Sequence, residues 1–211
     1  NRWTDDVPMI IPEINPDHAD VIPIQQVNRD LSQRGFVAVK PNCSIQSYLV
    51  TLTALEEAGF PVDQVQVTTL NALSGAGQAG LSSKEMKENV IPFIGGEEAK
   101  TEKEPLKILG RVTESGIENT DRLAISATCT RVPVIYGHTA VVNIRFKNEK
   151  PSLETIKSVW KNFKAIPQLE QFPMAPERPI LYFEEENHPQ PKLDRNLEKG
   201  MAVSVGRLAE D

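Results

Sequence analysis

Three features of the sequence predict an α+β fold, a mixed or antiparallel sheet with helices on one face. Apolar and polar residues alternate in VDQVQVTTLNAL (62–73), which indicates a half-buried strand. The β-rich stretch RLAISATCTRVPVIYGHTAVVNIRF (122–146) is broken at Pro133 and Gly137 and indicates further strands. Helical spacing of apolar residues in PSLETIKSVWKNFKAI (151–166) predicts a helix.

The remaining segments complete the predicted order of elements. A helix with one apolar face follows Cys43 and ends near Gly59, with Pro61 just beyond. A charged helix is predicted within NVIPFIGGEEAKTEKEPLKIL (89–109). Three more strands and a surface loop are also predicted: strands at VPMIIPEIN (7–15), GFVAVKPN (35–42) and MAVSVGR (201–207), and a loop at EEENHPQPKLDRN (184–196).

Composition excludes several classes of protein. A net charge of −6, with basic residues interspersed among acids, argues against a nucleic-acid surface. No apolar run is long enough to span a bilayer, so a cytoplasmic protein without membrane contact is predicted. Two cysteines form no disulfide framework, and no Cys/His spacing predicts a metal site. The first residue is not Met and a strand follows within a few residues, which predicts that the chain begins inside a larger protein.

Cys43 is the residue whose position first indicates chemistry. It lies in KPNCSIQSYLV (40–50), directly before the predicted helix. A thiol at a helix N-terminus is close to unpaired N–H groups and the positive end of the helix dipole, which favour the nucleophilic thiolate. A small, buried, unreactive cysteine is the alternative that placement alone leaves open.

Five ordered segments resemble one enzyme family. PNCS, SGAG, IPFIGGEEAK, RVPVIYGHT and the pair HPQPKLDRN and GMAVSVGR resemble aspartate-semialdehyde dehydrogenases of the branch shared by archaea, fungi and some bacteria. The resemblance implies an oxidoreductase that converts aspartyl phosphate to aspartate semialdehyde with NADP, in lysine, threonine and methionine biosynthesis. It also implies a homodimer or homotetramer.

The resemblance also implies roles for single residues. Cys43 is expected to be the nucleophile that forms a thioacyl enzyme, and His138 its acid/base partner. Arg131 is expected to hold the substrate carboxylate, for which its planar fork of donors is suited. Glu98 is expected to meet the substrate amino group, although Glu97 stands beside it in the same motif.

The remaining site residues implied by the resemblance contact phosphate, substrate and cofactor. Lys100 and Arg2 are expected to bind phosphate. Asn71 stands where the family usually has a substrate-binding glutamine, which is one methylene longer. Ser74, Gly75 and Gly77 are expected on the cofactor side of the site, because glycines allow backbone to approach a ligand closely.

One expected part of the family pattern is missing. No G-x-x-G-x-x-G turn of a dinucleotide-binding unit precedes Trp3, and SGAGQAG (74–80) follows a strand mid-chain without the usual βαβ context. The predicted domains are therefore a remnant of the cofactor domain (1–42) and a catalytic and dimerisation domain (43–211). By itself the chain is predicted to bind no cofactor and to be inactive in hydride transfer.

Other functions remain open from the sequence. A related acyl-CoA (malonyl-CoA) reductase would keep the cysteine and change the phosphate contacts. A non-catalytic dimerisation module would keep only the fold. A Cys-His hydrolase is the weakest alternative, because no orienting Asn or Asp can be assigned to His138.

Overall fold

The computed structural model describes residues 2–32, 34–77 and 85–210. Helices are α1 (Ile22–Asn28), α2 (Leu49–Glu57), α3 (Glu97–Ile108), α4 (Leu153–Asn162), α5 (Ile166–Leu169) and α6 (Pro191–Asp194). Strands are β1 (Val62–Asn71), β2 (Arg111–Thr113), β3 (Gly116–Glu118), β4 (Ala124–Arg131), β5 (Thr139–Phe146), β6 (Ile180–Phe183) and β7 (Val203–Gly206).

The main sheet has three strands in the order β4-β1-β5. Strand β1 runs parallel to β4 and antiparallel to β5, so the sheet is mixed, as predicted. The parallel register ends with Asn71 opposite Arg131, and the antiparallel register ends with Leu70 opposite Thr139. The carboxyl ends of β1 and β4 therefore meet the start of β5 at one edge of the sheet.

Helices α2 and α4 form the core against the inner face of this sheet. Every residue from Leu49 to Leu55 is buried, so α2 is enclosed by protein and is more than a half-buried surface helix. Trp160 of α4 packs in the same cluster, and its indole N–H donates to the carbonyl of Thr51 at 3.0 Å. Gly59 lies at φ 89° after α2, where a left-handed residue ends the helix as predicted.

The predicted strands at 7–15 and 35–42 are wrong. Within the residues of these two segments, all of them described, one parallel bridge forms, between Met9 and Val39. Proline supplies no N–H for a ladder, and Pro8 and Pro12 interrupt the first of these segments. Met9 and Ile11 belong to the same core as α2 and β1. The domain boundary after residue 42 stays a prediction.

Two local predictions need correction. Helix α2 begins at Leu49, with a short 3₁₀ turn at Ile45–Ser47 between it and Cys43, so Cys43 is not in the first turn of α2. The predicted loop at 184–196 contains the short helix α6, where the buried Asp194 accepts a hydrogen bond from the N–H of Gln190 at 2.5 Å. Within the described ranges, no helix is long and apolar enough to cross a membrane.

Candidate active site

The turn around Cys43 is held by the side chain of Asn42. The Asn42 amide oxygen accepts the N–H of Ser44 at 2.8 Å, a local loop that exposes the residue between them. Asn42 and Ser44 are buried, whereas Cys43 is exposed. The structure therefore presents the Cys43 thiol to solvent from a fixed backbone. The other cysteine, Cys129, is fully buried in β4.

Helix α3 supplies an acidic and a basic side chain beside this turn. Glu97 accepts one hydrogen bond from Asn42 Nδ2 at 2.5 Å and one from Lys100 Nζ at 2.6 Å. Burial alone would raise the pKa of Glu97, but the hydrogen bonds from Lys100 and Asn42, with the charges of Lys100 and Arg131, lower it below its ordinary value. Glu97 is therefore ionised at neutral pH and faces the turn that carries Cys43.

Arg131 and His138 meet at the edge of the sheet. Ala72, the residue after β1, contacts both: its carbonyl accepts from Arg131 Nη1 at 2.7 Å, and its N–H donates to His138 Nδ1 at 3.0 Å. Gly75 lies against the same two side chains, since a Cβ placed there would be 2.8 Å from His138 Cε1 and 3.1 Å from Arg131 Nη1. The expected carboxylate clamp and the expected acid/base residue are thus neighbours.

The hydrogen bond to His138 determines which ring nitrogen carries the proton. Nδ1 accepts an N–H, so it is unprotonated and the neutral ring carries its proton on Nε2. Burial and then the charge of Arg131 lower the pKa of His138, with Lys40 adding to the decrease and Glu97 opposing it. His138 is therefore a neutral donor at neutral pH.

Asn71 connects the Cys43 turn to the sheet. Its side-chain oxygen accepts from the Ser44 hydroxyl, and its Nδ2 donates to Thr69 Oγ1 at 2.8 Å. Because Ser44 follows Cys43 and Asn71 precedes Ala72, this contact puts the cysteine turn and His138 on the same edge of the sheet. The substrate contact expected of Asn71 stays a prediction, and both polar atoms of its side chain are already bonded within the protein.

Arg2 reaches the same region from the start of the chain. One of its guanidinium nitrogens forms an ion pair with Glu104, whose second carboxylate oxygen accepts the N–H of Asn42 at 2.5 Å. The Glu104 side chain is fully buried, whereas that of Arg2 is 35% exposed. Lys107 fixes the backbone here, donating to the carbonyls of Arg2 at 3.1 Å and Thr4 at 2.7 Å.

The structure separates the two adjacent acids of α3. Glu98 points to strand β4, where its carboxylate accepts the N–H of Cys129 at 3.2 Å. Glu97, its neighbour, faces Asn42 and Lys100. The contact with the substrate amino group that was expected of Glu98 stays a prediction. Because Glu98 faces β4 and Glu97 faces the Cys43 turn, the geometry favours Glu97 for this contact.

The expected cofactor residues lie in the turn after β1. Ser74 donates its N–H to the carbonyl of Ile135 at 3.0 Å, and Gly77 adopts φ 69° with no atom within 4 Å of a Cβ placed there. The end of the glycine-rich segment, including Gly80, lies outside the described residues.

Sequence reasoning missed the residues that hold the site together. Asn42 and Ser44 flank the cysteine in PNCS and were overlooked because neither has a catalytic group of its own. Glu104 was hidden in a run of charges, although Glu97, Lys100, Glu104 and Lys107 recur at helical spacing. That periodicity is the signal that could have found it.

Comparison with known proteins identifies the family. A family model described as semialdehyde dehydrogenase, dimerisation domain, matches residues 52–211. The aspartate-semialdehyde dehydrogenase of Methanothermobacter thermautotrophicus is 41% identical over 210 residues, which are 100% of this chain and 59% of that protein. The enzyme of Schizosaccharomyces pombe is 43% identical over 209 residues, 97% of this chain and 58% of that protein.

Solved structures agree with the sequence matches. The crystal structure of aspartate semialdehyde dehydrogenase with NADP from Candida albicans has a TM-score of 0.88 and 36% identity. The match covers 100% of this chain and 60% of the chain from Candida albicans. The chain therefore spans about three fifths of the length of the relatives that it matches.

Proposed function

Because the chain belongs to the family of semialdehyde dehydrogenase dimerisation domains, we propose that it is the catalytic and dimerisation part of an NADP-dependent aspartate-semialdehyde dehydrogenase. The observation that carries the proposal is the grouping of an exposed thiol with a neutral histidine, an arginine and an acid–lysine pair. These groups suit a small substrate that has a carboxylate, an ammonium group and an acyl phosphate.

Acyl transfer to Cys43 is the step for which this chain holds the groups. The exposed Cys43 thiol loses its proton to water, the resulting thiolate sulfur attacks the acyl carbon of aspartyl phosphate, a C–S bond forms, and the C–O bond to phosphate breaks. The phosphate leaves with the bonding electron pair, and Lys100 and Arg2 bind its charge. The product is a thioester on Cys43.

Arg131 and Glu97 orient the substrate. Arg131 is buried with its guanidinium beside His138 and binds the substrate carboxylate. Glu97 is ionised and binds the substrate ammonium group, in place of Glu98, whose carboxylate is bonded to the backbone of β4. The positive charge of Arg131 and the negative charge of Glu97 together favour a substrate that has both a carboxylate and an ammonium group over one that has a carboxylate alone.

His138 acts through its Nε2–H. A neutral imidazole with the proton on Nε2 donates a hydrogen bond to the acyl oxygen as negative charge develops there, which stabilises the tetrahedral state. Burial and then the charge of Arg131 lower the pKa of His138 and disfavour an imidazolium, so His138 is better suited to donate than to remove the thiol proton.

NADP would supply the hydride that reduces the thioester to the aldehyde. Gly75 lies against His138 and Arg131, and contacts of Ser74, Gly75 and Gly77 with NADP stay a prediction. We therefore assign cofactor binding and reduction to the whole protein and derive no step through NADP in this chain. Cytoplasmic localisation likewise stays a prediction.

The exposed face of the main sheet is the proposed contact between two copies. It carries mostly uncharged polar side chains: Gln64, Gln66, Ser126, Thr128, Val141 and Asn143 are exposed, with Arg145 at one end. Such a face can form an isologous homodimer contact without burying unpaired charge.

Acylation of the 211-residue chain tests the proposed function. Incubation with aspartyl phosphate should add one aspartyl group to the peptide containing Cys43, as measured by mass spectrometry, and Cys43→Ser should abolish the adduct. Cys129→Ser is the matched control and should retain it, because Cys129 is fully buried. Acylation by malonyl-CoA in preference to aspartyl phosphate would favour the acyl-CoA reductase. A folded chain that forms neither adduct would contradict a catalytic role.

A further inference from the structure

We propose that Glu104 is a positioning residue that holds the phosphate-binding Arg2 at a fixed place relative to the Cys43 turn. The inference rests on the proposed function, because it concerns the phosphate half of the same substrate. Glu104 contacts neither the thiol nor, with a fully buried side chain, the solvent from which substrate arrives. Its effect is exerted through Arg2 and Asn42.

The two oxygens of the Glu104 carboxylate have different partners. Oε1 accepts from the Arg2 guanidinium, and Oε2 accepts from the backbone N–H of Asn42 at 2.5 Å. One carboxylate thus joins the expected phosphate-binding arginine to the residue directly before the nucleophile. Both partners come from segments far from α3 in sequence, so the link exists only in the folded chain.

Arg2 remains available to a ligand in this arrangement. Its side chain is 35% exposed, while Nη1 is bonded to Glu104. A guanidinium has five N–H donors in a fixed plane, so an arginine fixed at one nitrogen can still present others to a phosphate. Fixing that plane before binding lowers the conformational entropy lost when phosphate is bound.

The energetics also favour a positional role for Glu104. Burying a carboxylate has a desolvation cost that one ion pair often fails to offset, and an apolar residue of similar size is frequently as stable. A fully buried Glu104 is therefore poorly explained by stability alone. Its two bonds instead set the distance between Arg2 and the Cys43 turn.

A glutamine at position 104 cannot replace this carboxylate. Both partners of Glu104 are donors, and an amide has only one oxygen. In Glu104→Gln the amide NH₂ must face either Arg2 or the N–H of Asn42, which displaces that partner. The substitution keeps the volume and removes one of the two links.

The test compares a phosphate-bearing reagent with a phosphate-free one on the 211-residue chain. Acylation of Cys43 by aspartyl phosphate should slow about tenfold or more in Arg2→Gln and in Glu104→Gln, the loss expected for one charge-assisted hydrogen bond. Alkylation of Cys43 by iodoacetamide, which needs no phosphate contact, should change by less than about threefold. In the double variant Arg2→Gln/Glu104→Gln, the rate of acylation should stay within about threefold of the rate in Glu104→Gln alone, because the two side chains act as one unit.

Glu102→Gln is the matched control on the same helix. Its carboxylate accepts a backbone N–H of strand β4, that of Ala127 at 3.2 Å. The rates of acylation and of alkylation in Glu102→Gln should both match those of the unsubstituted chain. Equal slowing of acylation and alkylation in Glu104→Gln would overturn the inference. It would also be overturned if the acylation rate of the double variant fell by the product of the two single-variant effects.

Inorganic phosphate separates this inference from the proposed function. If the chain is not acylated at all, the proposed function fails, and phosphate protection of Cys43 against iodoacetamide then decides the inference by itself. The phosphate concentration for half protection should rise at least about fivefold in Glu104→Gln and in Arg2→Gln, as expected for a displaced charged donor. An unchanged concentration, or no protection in the unsubstituted chain, would overturn it.

Discussion

At the scale of single residues, His138 shows how one backbone contact determines chemistry. A histidine expected to be an acid/base residue would ordinarily exchange a proton through either ring nitrogen. Here the N–H of Ala72 occupies Nδ1, so the proton of the neutral ring is on Nε2. Burial and Arg131 disfavour a second proton on the ring. The role that we propose for His138 is therefore donation from Nε2–H.

The ring tautomer of His138 can be measured directly. In the folded chain at neutral pH, ¹⁵N NMR should find Nδ1 unprotonated and Nε2 protonated, because Nδ1 accepts from Ala72. His138→Gln, whose amide can donate from a similar position, should acylate faster than His138→Ala. Equal rates in these two variants, or a proton on Nδ1, would contradict a donor role.

At the scale of elements, the turn at Leu73–Ala76 follows β1 and lies beside the proposed site. It is bonded to the segment before β5, since Leu73 and Ser74 donate to the carbonyls of Val134 and Ile135. Gly75 in this turn has no side chain, which leaves room for His138 and Arg131. The turn therefore shapes the site by its closeness to those two residues.

Gly75→Ala tests this closeness. The added Cβ would lie 2.8 Å from His138 Cε1, closer than ordinary van der Waals contact, so the imidazole or the turn must shift. We expect acylation of Cys43 to slow about tenfold or more, as for other small displacements of reacting groups. Gly95→Ala is the control, because a Cβ there meets no atom within 4 Å. Unchanged acylation in Gly75→Ala would show that the contact does not matter.

At the scale of the whole molecule, buried histidines should make stability depend on pH. His18 is fully buried, with Nδ1 bonded to Asn15 at 3.0 Å and Nε2 to the carbonyl of Gly110 at 3.3 Å. Burial lowers the pKa of His18, and Lys107 lowers it further, against the opposing effects of Gly110 and Asp17. The pKa of His138 is lowered as well.

The sign of the pH effect follows from these directions. A lowered pKa means that the unfolded chain binds the proton more tightly, so the contribution to stability is complete above about pH 6.5 and is lost as the pH falls through the lowered pKa. The free energy of unfolding, from urea titrations between pH 7.5 and 5, should decrease by about 1 kcal/mol or more. The decrease should be smaller in His18→Gln, and a pH-independent value would contradict the prediction.

The sequence predicted the regular elements of the fold well and the N-terminal part poorly. Strand β1 and helix α4 follow from clear periodicity, because alternating or helically spaced apolar residues have one favourable orientation on a core. The segments at 7–15 and 35–42 are apolar too, but they fold around a single bridge, because prolines interrupt the first and burial does not require a sheet. The start of α2 was placed too early, because Asn42 and Ser44 bond locally instead of entering the helix.

The sequence by itself determined the family, and its ordered motifs contain the proposed site residues Cys43, His138, Arg131 and Lys100. Only the tertiary structure decided how these residues are held: Glu97 faces the site where Glu98 faces β4, Nε2 of His138 carries the proton, and Glu104 joins Arg2 to Asn42. The physical reason is that a hydrogen bond depends on distance and direction between atoms. Arg2 and Glu104 are 102 positions apart along the chain, and only folding brings their charged atoms into contact.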